Sequence, residues 1–171
     1  VFSRVRQSLL AFYPPDVLRK KIAARATVLS QAGQYNLLRV IRREDEVAAM
    51  LSASRFTEAA LSMIYLLNRR YMPFYKWAYH GLSDLELLSD IGRKLEKFPE
   101  VFSRLQSGKA KYAYDQAFSI TEEICAALAA ELRRQGFSSV QSDFLQDHLA
   151  DIMAGIADPQ IGNMPPMADF N

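Results

Sequence analysis

Apolar residues recur at three- and four-residue spacing along most of this 171-residue chain, and no stretch alternates as a half-buried strand would. The clearest run is Phe56, Ala59, Ala60, Met63, Ile64 and Leu67. It lies in residues 46–70, an Ala-rich segment with neither Gly nor Pro, and predicts a long helix with one buried stripe. Ala113, Ala117, Ile120, Ile124, Leu128 and Leu132 predict a second long helix over 109–135, ended by Gly136. At 1.5 Å rise per residue each spans roughly 37 Å.

Shorter helices fill the rest. Residues 2–12 place Val5, Leu9 and Phe12 on one face and stop at Tyr13-Pro14-Pro15-Asp16. Asp16 is positioned to cap a helix over 17–31, with Arg19, Lys20, Lys21 and Arg25 on a solvated basic side and Ile22, Ala26 and Leu29 inward. Gly33 reads as its stop. Further short helices are predicted over 37–42, 74–80 and 84–98, the last capped by Ser83 with Glu86 as capping-box partner. Two more follow, over 100–106 behind Pro99 and up to residue 156 from a Ser142 or Asp143 cap, with Leu145, Leu149, Ile152 and Met153 inward. The pattern describes an all-α, up-and-down helical bundle over residues 1–157. Residues 158–171, with Pro165-Pro166 and no periodicity, read as an extended tail, and removing residues 160–171 should change the melting temperature little.

Composition narrows the function classes. Net charge is +2, from 21 cations and 19 anions, which is too balanced for an electrostatic nucleic-acid footprint. Cys125 is the sole cysteine, so neither an internal disulfide nor a cysteine metal cluster can form, and a reducing cytoplasm is the expected setting. Its apolar neighbours predict a buried, inert thiol. No apolar run approaches 18 residues, so no membrane span is expected. The chain opens without Met inside a predicted helix, which reads as a fragment of a longer protein or a mature chain with its start removed.

Candidate chemistry concentrates in residues 68–80, which hold the single Trp, three Tyr, His80 and three cations around Pro73. Arg69 and Arg70 close a helix, and Pro73 turns the chain. Arg70, Tyr71, Tyr75, Lys76 and Trp77 can then hold an anion between cations and stack a flat ring. The same spacing also allows Phe74 and Trp77 to be core, with Arg70 and Lys76 snorkelling over them. Gln31, Gln34, Tyr35 and Asn36, in the polar run 30–36, form either turn chemistry or a polar shelf lining a cleft. There is no phosphate-binding glycine loop, no nucleophile elbow and no His pair at metal spacing. Glu122–Glu123 and the stripe Asp143, Asp147, Asp151 are the remaining acid–base or cation candidates, and such helical carboxylates are usually surface charge. No catalytic residue and no metal ligand is assigned.

Tyr13-Pro14-Pro15-Asp16-Val17, the 30–36 run, the stretch from Ala60 through Asn68-Arg69-Arg70-Tyr71-Met72-Pro73-Phe74-Tyr75-Lys76-Trp77, and Phe144-Leu145-Gln146-Asp147-His148 together carry a resemblance. The chain resembles a helical domain of unknown function that follows an N-terminal nucleotidyltransferase-like domain in certain bacterial proteins. It is more loosely similar to the C-terminal bundle of kanamycin-type nucleotidyltransferases and to HEPN bundles. The resemblance implies a substrate-binding accessory domain that packs on the nucleotidyltransferase-like domain of the same polypeptide and completes its active-site cleft. Catalytic carboxylates, nucleotide and Mg would then belong to the full-length protein, with no cofactor and no catalysis in this chain alone. The ribonuclease motif of some HEPN domains, an Arg followed by four to six residues and then a His, is missing before both His80 and His148. The alternative reading is an interaction or dimerisation bundle with no small-molecule site.

Overall fold

The computed structural model describes residues 2–169. Val1, in the predicted bundle, and Phe170 and Asn171, in the predicted tail, lie outside the described residues. The helices are α1 (Phe2–Leu10), α2 (Pro15–Val28), α3 (Leu38–Arg42), α4 (Glu46–Leu67) and α5 (Tyr75–Ala78). They continue as α6 (Ser89–Gly92), α7 (Phe98–Gln106), α8 (Ala110–Arg134), α9 (Leu149–Ala154) and α10 (Pro159–Gly162). No strand occurs among the described residues, so the fold is all-α. No helix there is long and apolar enough to cross a membrane.

The two long helices form where periodicity placed them, and every residue of both predicted stripes is buried. Asp45 caps α4 by accepting a hydrogen bond from the Ala48 N–H at 3.0 Å. At the other end Arg69 takes a left-handed conformation (φ 55°), and the Arg70 N–H donates to the Tyr65 carbonyl at 3.0 Å. This is a Schellman-type stop built on Arg in place of the usual Gly. α4 is the hub and packs on α2, α3, α7 and α8.

Gly33 does not end a helix. The chain passes from α2 into a π-helix, Leu29–Leu37, and then into α3. Packing instead accounts for this glycine: a Cβ on Gly33 would sit 2.2 Å from Phe56 Cδ2, so Gly is needed for the Phe56 ring of α4 to pack against this backbone. Phe56 is fully buried and meets Phe98 edge-on, with ring centroids 6.1 Å apart.

The predicted helix over 84–98 is replaced by a 3-10 segment His80–Asp84, the short α6 and a second 3-10 segment Arg93–Lys97. Asn68 explains the break. Its amide accepts from the Leu87 N–H at 2.9 Å and donates to the Leu87 carbonyl at 2.9 Å, holding that backbone away from helical pairing. Leu88 follows with φ 63°. Neither proposed cap starts the last helix: 3-10 residues Leu145–His148 lead into α9. His148 is buried there, with Nδ1 2.9 Å from Ser138 Oγ and Nε2 2.9 Å from the Ser142 carbonyl.

The basic side of α2 is not wholly solvated, and the tail is not loose. Lys20 is fully buried, its Nζ donating to the carbonyls of Pro165 (2.8 Å), Pro166 (2.9 Å) and Ala168 (2.5 Å). Lys21 pairs with Asp169 at 3.0 Å, and Arg25 bonds the other Asp169 oxygen. Asp16 does not cap α2. It accepts from the Ala157 and Asp158 N–H groups at 3.2 and 2.8 Å, and Asp158 in turn caps α10. Aperiodic sequence hid this because the tail binds through backbone carbonyls, which carry no side-chain signature.

Cys125 is buried as expected, and burial, with Glu122 and Asp143 adding to it, raises its thiol well above the usual range. The thiol is therefore protonated at neutral pH.

Candidate functional site

Arg55, Glu58 and Ser62 form a polar stripe at helical spacing on α4, with Ser52, Ser54 and Thr57 near it, and these residues border a run of three adjoining depressions. The first, about 310 Å³, lies between Arg25 and Val28 of α2 and Arg55, Glu58 and Ser62 of α4, with Met72 and Asp169 closing it. The second, about 690 Å³, shares Glu58 and Met72 with it and is walled by Tyr75, Phe98 and Phe102 over a floor of Ser54, Thr57 and Leu61. The third, about 370 Å³, shares Val28 and Arg55 and runs past Gln31, Asn36 and Leu51 to Met167. The middle of the run carries Arg25 and Arg55 against Glu58 and Asp169, and the α7 end is aromatic.

The electrostatics are set by α2. Arg25 Nε donates to Ser62 Oγ at 2.7 Å, which fixes the guanidinium plane. Burial alone would raise the Asp169 carboxyl. The hydrogen bond from Lys21 and the charge of Arg25 outweigh it and hold the group below the ordinary carboxylate range. Arg55, exposed on α4, makes no ion pair among the described residues.

The residues singled out from sequence are spread over this surface. Tyr75 lines the aromatic cavity, and Gln31 and Asn36 line the groove's far end. Tyr35 stands next to them in a neighbouring depression beside Phe144, under the Arg39 guanidinium at 3.7 Å from the ring centroid. Gln34 is taken up structurally. Its amide nitrogen donates to the Asp143 carbonyl at 3.0 Å and its oxygen accepts from the Leu145 N–H at 3.0 Å. Arg70 borders a separate hollow with Asp84, Glu86 and Arg134. Tyr71 packs in a ring cluster with Phe12 and Tyr13, at 4.9 Å from each. Trp77 is 55% exposed, stacked on His80 at 6.4 Å with Lys76 over its face at 5.4 Å, so it is not core, and neither is the exposed Phe74. Arg70 and Lys76 are thus not gathered into one described cleft.

Arg55, Glu58, Ser62, Phe98, Phe102, Asp169 and Arg25 were missed as site residues, Arg25 having been read as part of a solvated basic side. The first three had a signal: residues 55, 58 and 62 are a polar stripe at three- and four-residue steps on an apolar helix. Phe98 and Phe102 repeat at i, i+4, which reads equally well as core.

Glu122 and Glu123 do not act as a pair. Burial raises the Glu122 carboxyl, with Gln34 opposing and Asp143 adding, whereas bonds from Lys94 and Ser119 lower that of Glu123. Asp151 accepts from the Ser139 N–H at 2.8 Å and Asp147 from Ser142 Oγ at 2.7 Å. Among the described residues no group of three His, Cys, Asp or Glu is placed to hold a metal ion.

Residues 1–78 match the model of a family described as Domain of unknown function (DUF4037). The match supports an uncharacterised domain over that part of the chain. It takes in α2, the π-helix and α4, which build the groove, and ends with α5, before α7 supplies Phe98 and Phe102. No curated protein and no solved structure matches the chain.

Proposed function

We propose that this domain is an accessory, substrate-binding module for a nucleotidyltransferase-like domain of the same bacterial, cytoplasmic polypeptide, and that it contributes a nucleotide-binding face without catalysing transfer itself. The observation that supports this reading most is the aromatic cavity adjoining the groove lined by Arg25 and Arg55, through Glu58 and Met72. Its volume falls in the range of small-molecule sites. Tyr75 and Phe102 offer faces for a flat ring, Glu58 accepts hydrogen bonds at the junction, and Arg25 and Arg55 suit phosphate oxygens. Lys76 and Trp77 share α5 with Tyr75. Mg would be held by phosphates and by carboxylates of the other domain.

The test is calorimetric titration of the two-domain protein with nucleoside triphosphates. Ser54 is exposed and lines the cavity, so Ser54→Trp should fill it without disturbing the core. Affinity should fall at least about tenfold, or about 1.4 kcal/mol. Unchanged affinity would remove the cavity from the reading.

α1 favours the second reading, an interaction bundle. Phe2, Val5, Leu9 and Leu10 are 93%, 55%, 58% and 72% exposed on one short helix. Such a face usually marks a partner surface. On this reading sedimentation equilibrium should show self-association that Leu9→Glu abolishes, and a monomer at all concentrations would count against a homodimer.

A further inference from the structure

We propose that the groove between α2 and α4 is a binding site for a phosphate-bearing anion, and that the chain's own Asp169 occupies it as a carboxylate surrogate until such an anion displaces it. The inference shares the groove with the proposed nucleotide face but does not require the ring cavity.

Charge is the first argument. Arg25 of α2 and Arg55 of α4 line the groove together with Glu58 and Asp169, and Lys21 of α2 also bonds Asp169. Asp169 is thus held by two cations at once, while the Arg55 guanidinium lines the same groove. A phosphate brings more charge and one more oxygen than a carboxylate, so it can engage Lys21, Arg25 and Arg55 together. Arg55 makes no ion pair among the described residues, and is the donor that Asp169 leaves over.

Preorganisation is the second. Ser62 Oγ holds Arg25 at Nε and leaves its terminal nitrogens for the anion. That side chain keeps its orientation when the anion changes, so no new ordering is needed. The manner of tail attachment is the third. Among the described residues, three tail carbonyls bond Lys20, whereas Asp169 lines the groove with its carboxylate on Lys21 and Arg25. Exchanging that carboxylate for a phosphate leaves the Lys20 anchor in place. The tail then acts as a tethered competitor that lowers apparent affinity by the fraction of time it is bound.

The test uses the full 171-residue chain and inorganic pyrophosphate at constant ionic strength, with chloride as control. Asp169→Asn keeps the size of the side chain and the Lys20 contacts, and should bind pyrophosphate at least about tenfold more tightly than the natural chain. Adding Arg55→Ala, an exposed position, should remove that gain. In the natural chain, pyrophosphate should speed hydrogen exchange at Met167–Asp169 while leaving α8 unchanged, a readout that needs no variant. Equal affinity of the natural chain and Asp169→Asn, a gain that survives Arg55→Ala, or an exchange change reproduced by chloride would each overturn the proposal. Pyrophosphate binding with no added affinity for a nucleoside triphosphate would keep the anion site and refute the ring cavity.

Discussion

A chain ending at Gly162 should melt about 4–10 °C below the full-length protein, a loss of about 2–3 kcal/mol for a domain of this size. The segment removed carries the three carbonyls that satisfy the buried Lys20 ammonium and the carboxylate on Lys21 and Arg25. Hydrogen bonds to charged groups contribute about 1.5–3 kcal/mol each, and ordering the tail costs about 1–2 kcal/mol per residue, so the net is a fraction of the gross. Lys20→Met should reproduce most of the loss, because it strips the anchor while keeping the aliphatic stem. Limited proteolysis supplies the second readout: in Lys20→Met the segment after Pro159 should be cut at a rate the natural chain does not show. Melting within about 1 °C of the natural protein in both variants would mean that the tail adds nothing to stability.

Gly33→Ala should destabilise by about 2 kcal/mol, although Ala is the better helix former by nearly 1 kcal/mol. The new Cβ would fall 2.2 Å from Phe56 Cδ2 and 2.6 Å from Cε2. Phe56 cannot retreat, because it is fully buried and its ring abuts Phe98, itself only 4% exposed. Overpacking of this kind costs about 1–3 kcal/mol and sometimes more. Pairing Gly33→Ala with Phe56→Leu should recover part of the loss, giving a coupling energy of at least about 1 kcal/mol in a double-mutant cycle. A raised melting temperature in Gly33→Ala alone would show that the ring has somewhere to go.

The candidate site was legible in fragments. Gln31, Asn36 and Tyr75 were picked from local chemistry and border the α2–α4 groove or the cavity beside it, whereas Arg25 was read only as part of a solvated basic side. What made them neighbours was not local. Arg25 meets Asp169 across 144 positions, and Tyr75 meets Phe98 and Phe102 across the irregular segment that Asn68 pins. Residues 68–80 looked like one site because they are contiguous, but the turn at Pro73 sends them to different places. Arg70 faces Asp84 and Glu86, Tyr71 faces Phe12 and Tyr13, and Tyr75 faces α7.

By itself the sequence determined the all-α class, both long helices with their buried stripes, and the burial of Cys125. Those features rest on periodicity and propensity acting over a few turns, so the information is local. Only the tertiary structure decided that a helix runs through Gly33, that residues 84–98 break into short pieces, and that the tail closes over α2. In each case a group distant in sequence overrode a local preference: the Phe56 ring at Gly33, the Asn68 amide at Leu87, and the Lys20 ammonium at Pro165, Pro166 and Ala168. A buried ring must have space and a buried charge must have partners, and both requirements outweigh the kilocalorie or less that helix propensity offers per residue.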